Sequence, residues 1–398
     1  MDTHEHSGSR QIARAGGSAL AVRSSALVAR GLRDLARDSN WLIKKVFTGR
    51  SPHLAISSAG QVCAISTHVH HGTAQVAIYD IELSVPTMAL SVPDRSQVVP
   101  VDSAADSSAE SSVSGPADAP AAFSWSPDAR YLVGAWRGWG LGMHLFDLNG
   151  KLYLGKFGEP QNSEAKNAAH TNISAQFAWS DSGDYFVATS RGKNASLRLW
   201  RPMGGPMGGE AAIEIGAPDW VEPQQAGEEF AEEGAFGGYG RAAFSPNEEA
   251  LASVIETKGE WADDSILVAD VATLSRRSVF GAAGHVTDLT WTPDGEQIIY
   301  CSAGQAYRIE QGAAAYDPLP FGAELCACHP HLPMCVCFSS WLKNSAKGRL
   351  FLVDLSRGTA FDEYPAEGVV DLRWSRDGSK AYAVTRDGMA YIYEPPLI

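Results

Sequence analysis

Short apolar strands separated by polar turns make up most of this chain, and they recur as one repeating pattern. Each copy has an apolar strand, a turn of the Ser/Thr-Pro-Asp-Gly type, a second apolar strand, a polar loop and a third strand. Apolar and polar residues alternate within the strands, which predicts strands that are buried on one face. The four clearest copies occupy residues 123–148, 177–200, 289–310 and 372–394.

Three weaker copies fill the gaps between the clear ones, at residues 54–80, 242–270 and 325–354. The chain therefore contains seven units of one kind. A three-stranded unit cannot bury both of its faces alone, but units stacked radially cover one another. The pattern predicts an all-β fold, a seven-bladed β-propeller.

The repeats resemble the WD40 repeat family, over about residues 41–398. No Trp-Asp dipeptide ends a repeat, because Trp200 is followed by Arg201, so the chain departs from the family pattern there. The resemblance rests on the turns Ser126-Pro127-Asp128 and Thr292-Pro293-Asp294-Gly295, the strand ends Tyr79-Asp80 and Phe146-Asp147, and the dipeptide Gly284-His285.

The two ends of the chain predict how the ring closes. The last unit stops after its third strand, at about residues 389–394, while an extra strand-like run, residues 41–47, precedes the first unit. We expect this run to supply the missing outer strand, since an unpaired edge invites aggregation. The predicted domains are an N-terminal arm, 1–40, partly helical, and the propeller, 41–398, with insertions at about 91–122 and 216–240.

Charge narrows the class of partner. The formal net charge is −14 and most of it lies in the two insertions, which argues against a general affinity for nucleic acid. No apolar run is long enough to span a membrane. The 6 cysteines are mostly clustered, which suits a reducing compartment, and we expect the protein to be cytoplasmic.

The resemblance implies that loops between the second and third strands share one face with the connections between blades. The long loops and both insertions belong to this long-loop face, whereas we expect the opposite face, which carries the Ser-Pro-Asp-Gly turns, to be uniformly short. Exposed aromatic residues among charges are typical interface anchors. The candidate partner-binding residues are Trp136, Trp139, Trp220, Tyr239, Trp261, Asp263, Asp264 and Trp341.

The N-terminal arm carries an amphipathic pattern between about residues 17 and 37. A helix there would gather leucines on one side and a stripe of arginines on another. Such a helix fits docking on the propeller itself, in a partner groove or on an anionic membrane surface. The sequence leaves these three destinations open.

Two clusters offer metal-ligand chemistry. Cys326, Cys328, Cys335 and Cys337, with two nearby histidines, could bind zinc, but their spacing also fits strands on which Cys acts as a small apolar residue. His68, His70 and His71 form a second group with no acid beside it. No nucleophile elbow, phosphate loop, zinc-protease or dinucleotide motif occurs. We predict no cofactor.

The sequence thus predicts a non-catalytic scaffold, a monomeric propeller within a complex, that binds one or more proteins through its long-loop face. Two alternatives stay open. One is a propeller enzyme, a hydrolase or lyase, with a site at the mouth of the channel. The other is a membrane-surface adaptor that uses the arginine-striped arm.

Overall fold

The computed structural model describes residues 41–48, 51, 53–65, 76–90, 121–136, 143–157, 174–190, 197–201, 213–215, 236–257, 263–273, 275–311, 315–340 and 348–395. Within these ranges the chain is all-β and contains no helix. The predicted N-terminal arm lies outside them. No segment of the described chain forms a helix of the length and apolarity needed to cross a membrane.

The strands form seven antiparallel sheets of four strands each, which confirms the predicted seven-bladed propeller. Successive inner strands contact one another around a central axis.

The first strand of the chain, β1, is Trp41–Lys45. From the axis outwards, blade 1 contains β2 (Leu54–Ile56), β3 (Gln61–Ile65), β4 (Val76–Asp80) and β5 (Val85–Leu90). Blade 2 contains β6 (Ala121–Trp125), β7 (Tyr131–Trp136), β8 (Met143–Asp147) and β9 (Leu152–Phe157). Blade 3 contains β10 (Ser174–Trp179), β11 (Phe186–Ser190), β12 (Leu197–Trp200) and β13 (Ile213–Ile215).

The remaining blades follow the same order. Blade 4 contains β14 (Phe236–Phe244), β15 (Ala250–Thr257), β16 (Ser265–Asp270) and β17 (Arg276–Gly281). Blade 5 contains β18 (Val286–Trp291), β19 (Gln297–Ser302), β20 (Gln305–Glu310) and β21 (Asp317–Pro318). Blade 6 contains β22 (Leu325–Cys328), β23 (Met334–Ser339), β24 (Arg349–Asp354) and β25 (Thr359–Pro365). Blade 7 contains β26 (Val369–Trp374), β27 (Ala381–Thr385), β28 (Met389–Tyr393) and β1.

The ring closes as the two chain ends predict. β1 pairs antiparallel with β28, with Trp41 opposite Tyr393 and Lys45 opposite Met389. The Val46 amide extends this pairing by donating to the Gly388 carbonyl at 2.9 Å. Trp41 is buried with its ring centroid 5.1 Å from that of Tyr393, so the borrowed strand is packed as well as hydrogen-bonded.

The short turns after the inner strands are closed by their own side chains. In blade 2, the Ser126 hydroxyl donates to Asp128 at 2.6 Å and accepts the Tyr131 amide at 2.8 Å. Thr292 makes the same pair of bonds in blade 5, where Gly295 has a φ of 72°. These local bonds make the Ser-Pro-Asp-Gly sequence a stable corner rather than a loop.

The apolar core lies between the blades. One cluster joins Val254 and Ile266 of blade 4 to Leu289 and Tyr300 of blade 5, and comparable clusters join other neighbouring blades. Each sheet therefore buries both faces against its neighbours, which is how a stack of small units obtains a sizeable core.

The strand ends sort the connections onto two faces. In a four-stranded antiparallel blade, the connection between the second and third strands and the connection to the next blade leave from the same end. The expectation of a uniformly short turn face fails in blade 3, where the third and outer strands are joined by residues 201–212. β6 begins at Ala121 and β14 at Phe236, so the connections that contain the predicted insertions end at residues 120 and 235.

Candidate functional site

The seven inner strands surround a central cavity of about 580 Å³. Its wall carries a small set of charged side chains among backbone and apolar groups. Arg241 and Asp288 lie on β14 and β18, and Asp371 and Arg373 on β26. Asp181 and Arg376 line the cavity from turns on the turn face.

Two of these carboxylates hold the ring together at equivalent positions. The Asp288 carboxylate accepts the amide of the next residue, Leu289, and that of Cys326 on the neighbouring inner strand at 3.0 Å. The Asp371 carboxylate accepts the amides of Leu372 and of Ile56, the latter at 2.7 Å. Each aspartate therefore caps the inner strand of the next blade with a hydrogen bond to a charged acceptor.

Asp288 also faces the Arg241 guanidinium. The Nε atom of Arg241 lies 3.5 Å from Oδ1 of Asp288. Burial raises the pKa of the Asp288 carboxyl to about 7, against the opposing effect of Arg241. The Asp288 charge in turn raises the pKa of Arg241. The pair places a carboxyl that titrates near neutrality beside a permanent cation.

The turn-face mouth of the channel carries charges of both signs. Burial and then Glu248 raise the pKa of Asp181, while Arg376, Arg373 and His331 oppose that rise. The mouth is thus not uniformly acidic or basic, and it does not form a single-sign patch of the kind that steers nucleic acid.

Four tryptophans seal the junctions between inner strands. Each stands directly before the Ser or Thr of the turn, and its indole N–H donates to a backbone carbonyl of the preceding blade. A buried indole needs such a partner, so these bonds fix the ring in place between the blades. The pairs are Trp125 with Ala55, Trp179 with Ser124, Trp291 with Ala243 and Trp374 with Ala327, at 2.9, 3.2, 2.9 and 2.9 Å.

His329 takes the place of the turn serine in blade 6. Its Nδ1 accepts the amides of His331 and Leu332 at 3.0 and 2.9 Å, and its Nε2 lies 3.1 Å from the Gly378 carbonyl. Burial lowers the pKa of His329 to about 4, so the ring is neutral and Nε2 is the donor. Both nitrogens are occupied, which leaves no lone pair for zinc.

The four clustered cysteines fit the alternative interpretation of core residues. Cys326, Cys335 and Cys337 are buried, Cys328 is partly buried, and all face blade 5. None of the chain's cysteines forms a disulfide. Among the residues that the structure describes, no group of three or more His, Cys, Asp or Glu is arranged to hold a metal ion. His68, His70 and His71 lie outside those residues.

Two of the candidate partner-binding residues are wrong as surface anchors. Tyr239 is fully buried on β14, in the cluster between blades 3 and 4. Asp264 is also buried, and its carboxylate accepts the amides of Thr257 and Val286 at 3.0 and 2.8 Å. His285 lies 3.2 Å from the same carboxylate, so Asp264 joins blade 4 to blade 5 rather than to a partner.

The other six candidates are one exposed residue, one whose backbone alone is described and four outside the described residues. Asp263 is exposed beside Asp264, at the end of the connection between β15 and β16. Trp136 ends β7, on the long-loop face, but its side chain is not described. The rest lie outside the described residues, namely Trp139, Trp220, Trp261 and Trp341.

Sequence reasoning missed the two capping aspartates, although a signal was present. The motif Val-x-Asp-Leu-x-Trp occurs twice, at Val286–Trp291 and at Val369–Trp374. A carboxylate repeated at one position of an otherwise apolar inner strand requires a buried partner. The repeated motif could therefore have located both caps.

No protein-family model and no curated protein matches the chain. Solved structures do match it. A chain of Kuenenia stuttgartiensis hydrazine synthase is 14% identical with a TM-score of 0.59, covering 88% of this chain and 97% of its own. The β-propeller domain of Cps50 (Swd1) from Myceliophteria thermophila is 13% identical with a TM-score of 0.56, covering 89% and 99%. A chain of the mitotic checkpoint complex is 12% identical with a TM-score of 0.56, covering 88% and 95%. The likeness shows the propeller fold, which here occurs in a synthase as well as in a multiprotein complex.

Proposed function

We propose that this protein is a non-catalytic scaffold, a cytoplasmic subunit that binds a protein partner through the long-loop face of the propeller. The observation that carries the proposal is the sorting of connections by strand ends. The connections 66–75, 91–120, 137–142, 158–173 and 216–235 all leave from that face. Loops on a rigid ring are the usual place for recognition.

The chemistry of the channel supports the same proposal. Asp288 and Asp371 accept backbone amides from two strands each, and His329 has both nitrogens in hydrogen bonds. Side chains that hold neighbouring blades together are committed to the fold. They are less free to reorganise around a reacting group than residues on loops.

The partner that fits best is a basic protein surface. The predicted insertion 216–240 contains six acids and no Lys or Arg before Arg241. Complementary charge raises association rates and sets orientation, and its effect falls with ionic strength. Trp220 and Trp261 are the proposed apolar anchors, and Asp263, two residues after Trp261 in the sequence, is the proposed acidic contact.

Paired deletions test this proposal, one on each face. Residues 218–233 connect strands on the long-loop face, and residues 203–210 lie in the connection on the turn face. Each is replaced by a short Gly-Ser linker in the tagged full chain, and co-purifying proteins from the native host are quantified by mass spectrometry. We expect the first deletion to remove a partner that the second retains. Equal loss or equal retention, with unchanged thermal unfolding, would contradict the proposal.

A channel enzyme is the second candidate, favoured by one observation. A carboxyl with a pKa of about 7 beside Arg241 in an enclosed cavity is the kind of group that acid–base catalysis uses. Thermal shift with a panel of small carboxylates and phosphates tests it. A ligand that stabilises the wild type but not Arg241→Met would support a channel site, and no stabilisation by any of them would count against it.

A further inference from the structure

Five of the six cysteines meet at the junction between blades 5 and 6. Cys326 pairs with Cys337 across β22 and β23, and Cys328 pairs with Cys335. Residues paired across two strands, or two apart on one strand, point to the same face of a sheet. All four thiols therefore project from one face of blade 6. Cys301, on β19 of blade 5, packs in the same cluster.

The thiols are in contact with one another. The Sγ atoms of Cys335 and Cys337 are 3.7 Å apart. The Cys326 Sγ atom lies 3.9 Å from the Ile299 carbonyl oxygen, and Cys301 and Cys335 are the thiols that act most strongly on it. These two thiols, together with the nearby Arg241 charge, hold the pKa of Cys326 well below its usual value. The pKa of Cys301 is raised, chiefly by the neighbouring Cys326 thiol and then by burial.

The cluster adjoins the central cavity. Cys326 and Cys328 are part of the cavity wall, as are Arg241 and Asp288. The sixth cysteine differs in every one of these respects. Cys63 lies in the core between blades 1 and 2 with no second thiol there, and burial raises its pKa to about 12. The chain thus carries its own matched control.

From the shared face, the thiol contacts and the adjoining cavity, we infer that Cys326 is an oxidation site. A small hydroperoxide that enters the channel oxidises it, and Cys301 then closes a disulfide between blades 5 and 6. This site does not depend on the proposed scaffold function.

Oxidation proceeds in two steps, formation of a sulfenic acid and then of a disulfide. The Cys326 thiolate attacks one peroxide oxygen, the O–O bond breaks, and the other oxygen leaves and takes up a proton as an alcohol or water. This leaves a sulfenic acid on Cys326. The Cys301 sulfur then attacks the Cys326 sulfur, loses its proton and displaces the hydroxyl group as water. Two thiols have lost two electrons and two protons, and the hydroperoxide has accepted them.

The experiment uses the full chain, reduced and then freed of reductant under argon. Hydrogen peroxide is titrated in, free thiols are alkylated in denaturant, and intact mass and peptide maps are recorded. We expect a loss of two hydrogens and a linked peptide pair containing Cys301 and Cys326. This reaction should proceed at least about tenfold faster than any change at Cys63.

Three variants make the result specific. Cys326→Ser should abolish the linked pair, and Cys63→Ser should leave its rate unchanged. Cys301→Ser should stop the reaction at the sulfenic acid, which dimedone traps on Cys326. If Cys326→Ser does not fold, as judged by circular dichroism, the Cys301→Ser arm still decides the question. Oxidation only in denaturant, equal rates at Cys63 and Cys326, or a pair that links Cys335 instead of Cys301 would overturn the inference.

Discussion

The junction between blades 5 and 6 and the junction between blades 7 and 1 share one backbone hydrogen bond. They differ in the side chains that surround it. In the first, Asp288 accepts the amide of Cys326, and in the second, Asp371 accepts the amide of Ile56. The aspartates occupy the same position of the same motif. Beyond that cap the two junctions have little in common.

The 7–1 junction is completed by charges. The Glu82 carboxylate accepts hydrogen bonds from Lys380 at 2.7 Å and from Tyr382 at 3.1 Å, and Lys44 of β1 donates to its backbone carbonyl. Both junctions have an apolar core, but the core of the 5–6 junction contains thiols beside the rings of Phe321 and Phe351, whereas the core of the 7–1 junction consists of aliphatic groups and the rings of Phe47 and Tyr382. The repeated motif thus fixes the backbone contact between neighbouring blades. The side chains at each junction differ, so we expect the 7–1 junction to be sensitive to salt and the 5–6 junction to oxidants.

The largest effect should come from removing the strand that closes blade 7. Deleting residues 1–47 removes β1 together with Trp41, Val46 and Phe47, all buried. A buried Trp alone contributes about 3–5 kcal/mol, so we expect a loss of more than about 5 kcal/mol or no cooperative folding. Chemical denaturation measures it, with deletion of residues 1–38 as the control. Equal stability of the two deletion variants would show that β1 is not part of the ring.

The next effect is the pH dependence of the 5–6 junction. The pKa of Asp288 is raised from 3.8 to about 7 in the folded chain, so the folded state holds this proton more tightly than the unfolded state. The stability that the proton supplies is present below about pH 4 and is lost as the pH rises to about 7, at most about 4 kcal/mol. Relative to Asp288→Asn, the wild type should therefore lose stability across that range. A constant difference between them from pH 4 to pH 7.5 would contradict the shifted pKa.

Replacing either capping aspartate should lower the free energy of unfolding by less than the pH effect. Asp288→Ala and Asp371→Ala each leave two backbone amides without their acceptor, for a cost of about 2–3 kcal/mol. Urea denaturation at one pH compares the two junctions directly. If only one variant is destabilised, the aspartates do not perform the same task.

A single indole hydrogen bond should contribute less to the free energy of unfolding than an aspartate cap does. Trp374→Phe keeps the apolar ring but leaves the Ala327 carbonyl without its donor, for a loss of about 1 kcal/mol. Trp291→Phe, beside the Ala243 carbonyl, is the replicate in another blade. A similar thermal shift in both is expected, and no shift in either would mean that water replaces the indole.

The smallest effect is expected at the ion pairs of the 7–1 junction. Glu82 is partly exposed, and such pairs contribute about 0–1 kcal/mol. Glu82→Gln should lower stability slightly at low salt and not at all at 1 M salt. At 1 M salt the Debye length falls to about 3 Å, so the attraction between these exposed charges is screened. A loss that persists at high salt would mean that Glu82 acts through its hydrogen bond to Tyr382 instead.

How much of this could be predicted depended on whether the signal was local. Turns such as Ser126-Pro127-Asp128 carry their own hydrogen bonds, so the blades and the pairing of β1 with β28 followed from the sequence. Tyr239 was wrong as a surface anchor because it was placed within the predicted insertion 216–240, whereas it lies on β14. A Cβ at Gly237 would lie 2.9 Å from the Glu256 carbonyl oxygen, so that glycine permits the close approach of β14 and β15. Contacts between blades, such as Asp264 with Val286, are set by packing that no local pattern records.

Closure of the ring by β1 is the claim on which every face assignment depends. Amide hydrogen exchange of the full chain, followed by mass spectrometry, tests it most directly. We expect peptides covering Trp41–Lys45 to be protected to the same degree as peptides covering Met389–Tyr393, because each strand supplies the other's hydrogen bonds. Exchange of Trp41–Lys45 at the rate of an unfolded segment, with Met389–Tyr393 still protected, would contradict the closed seven-bladed ring.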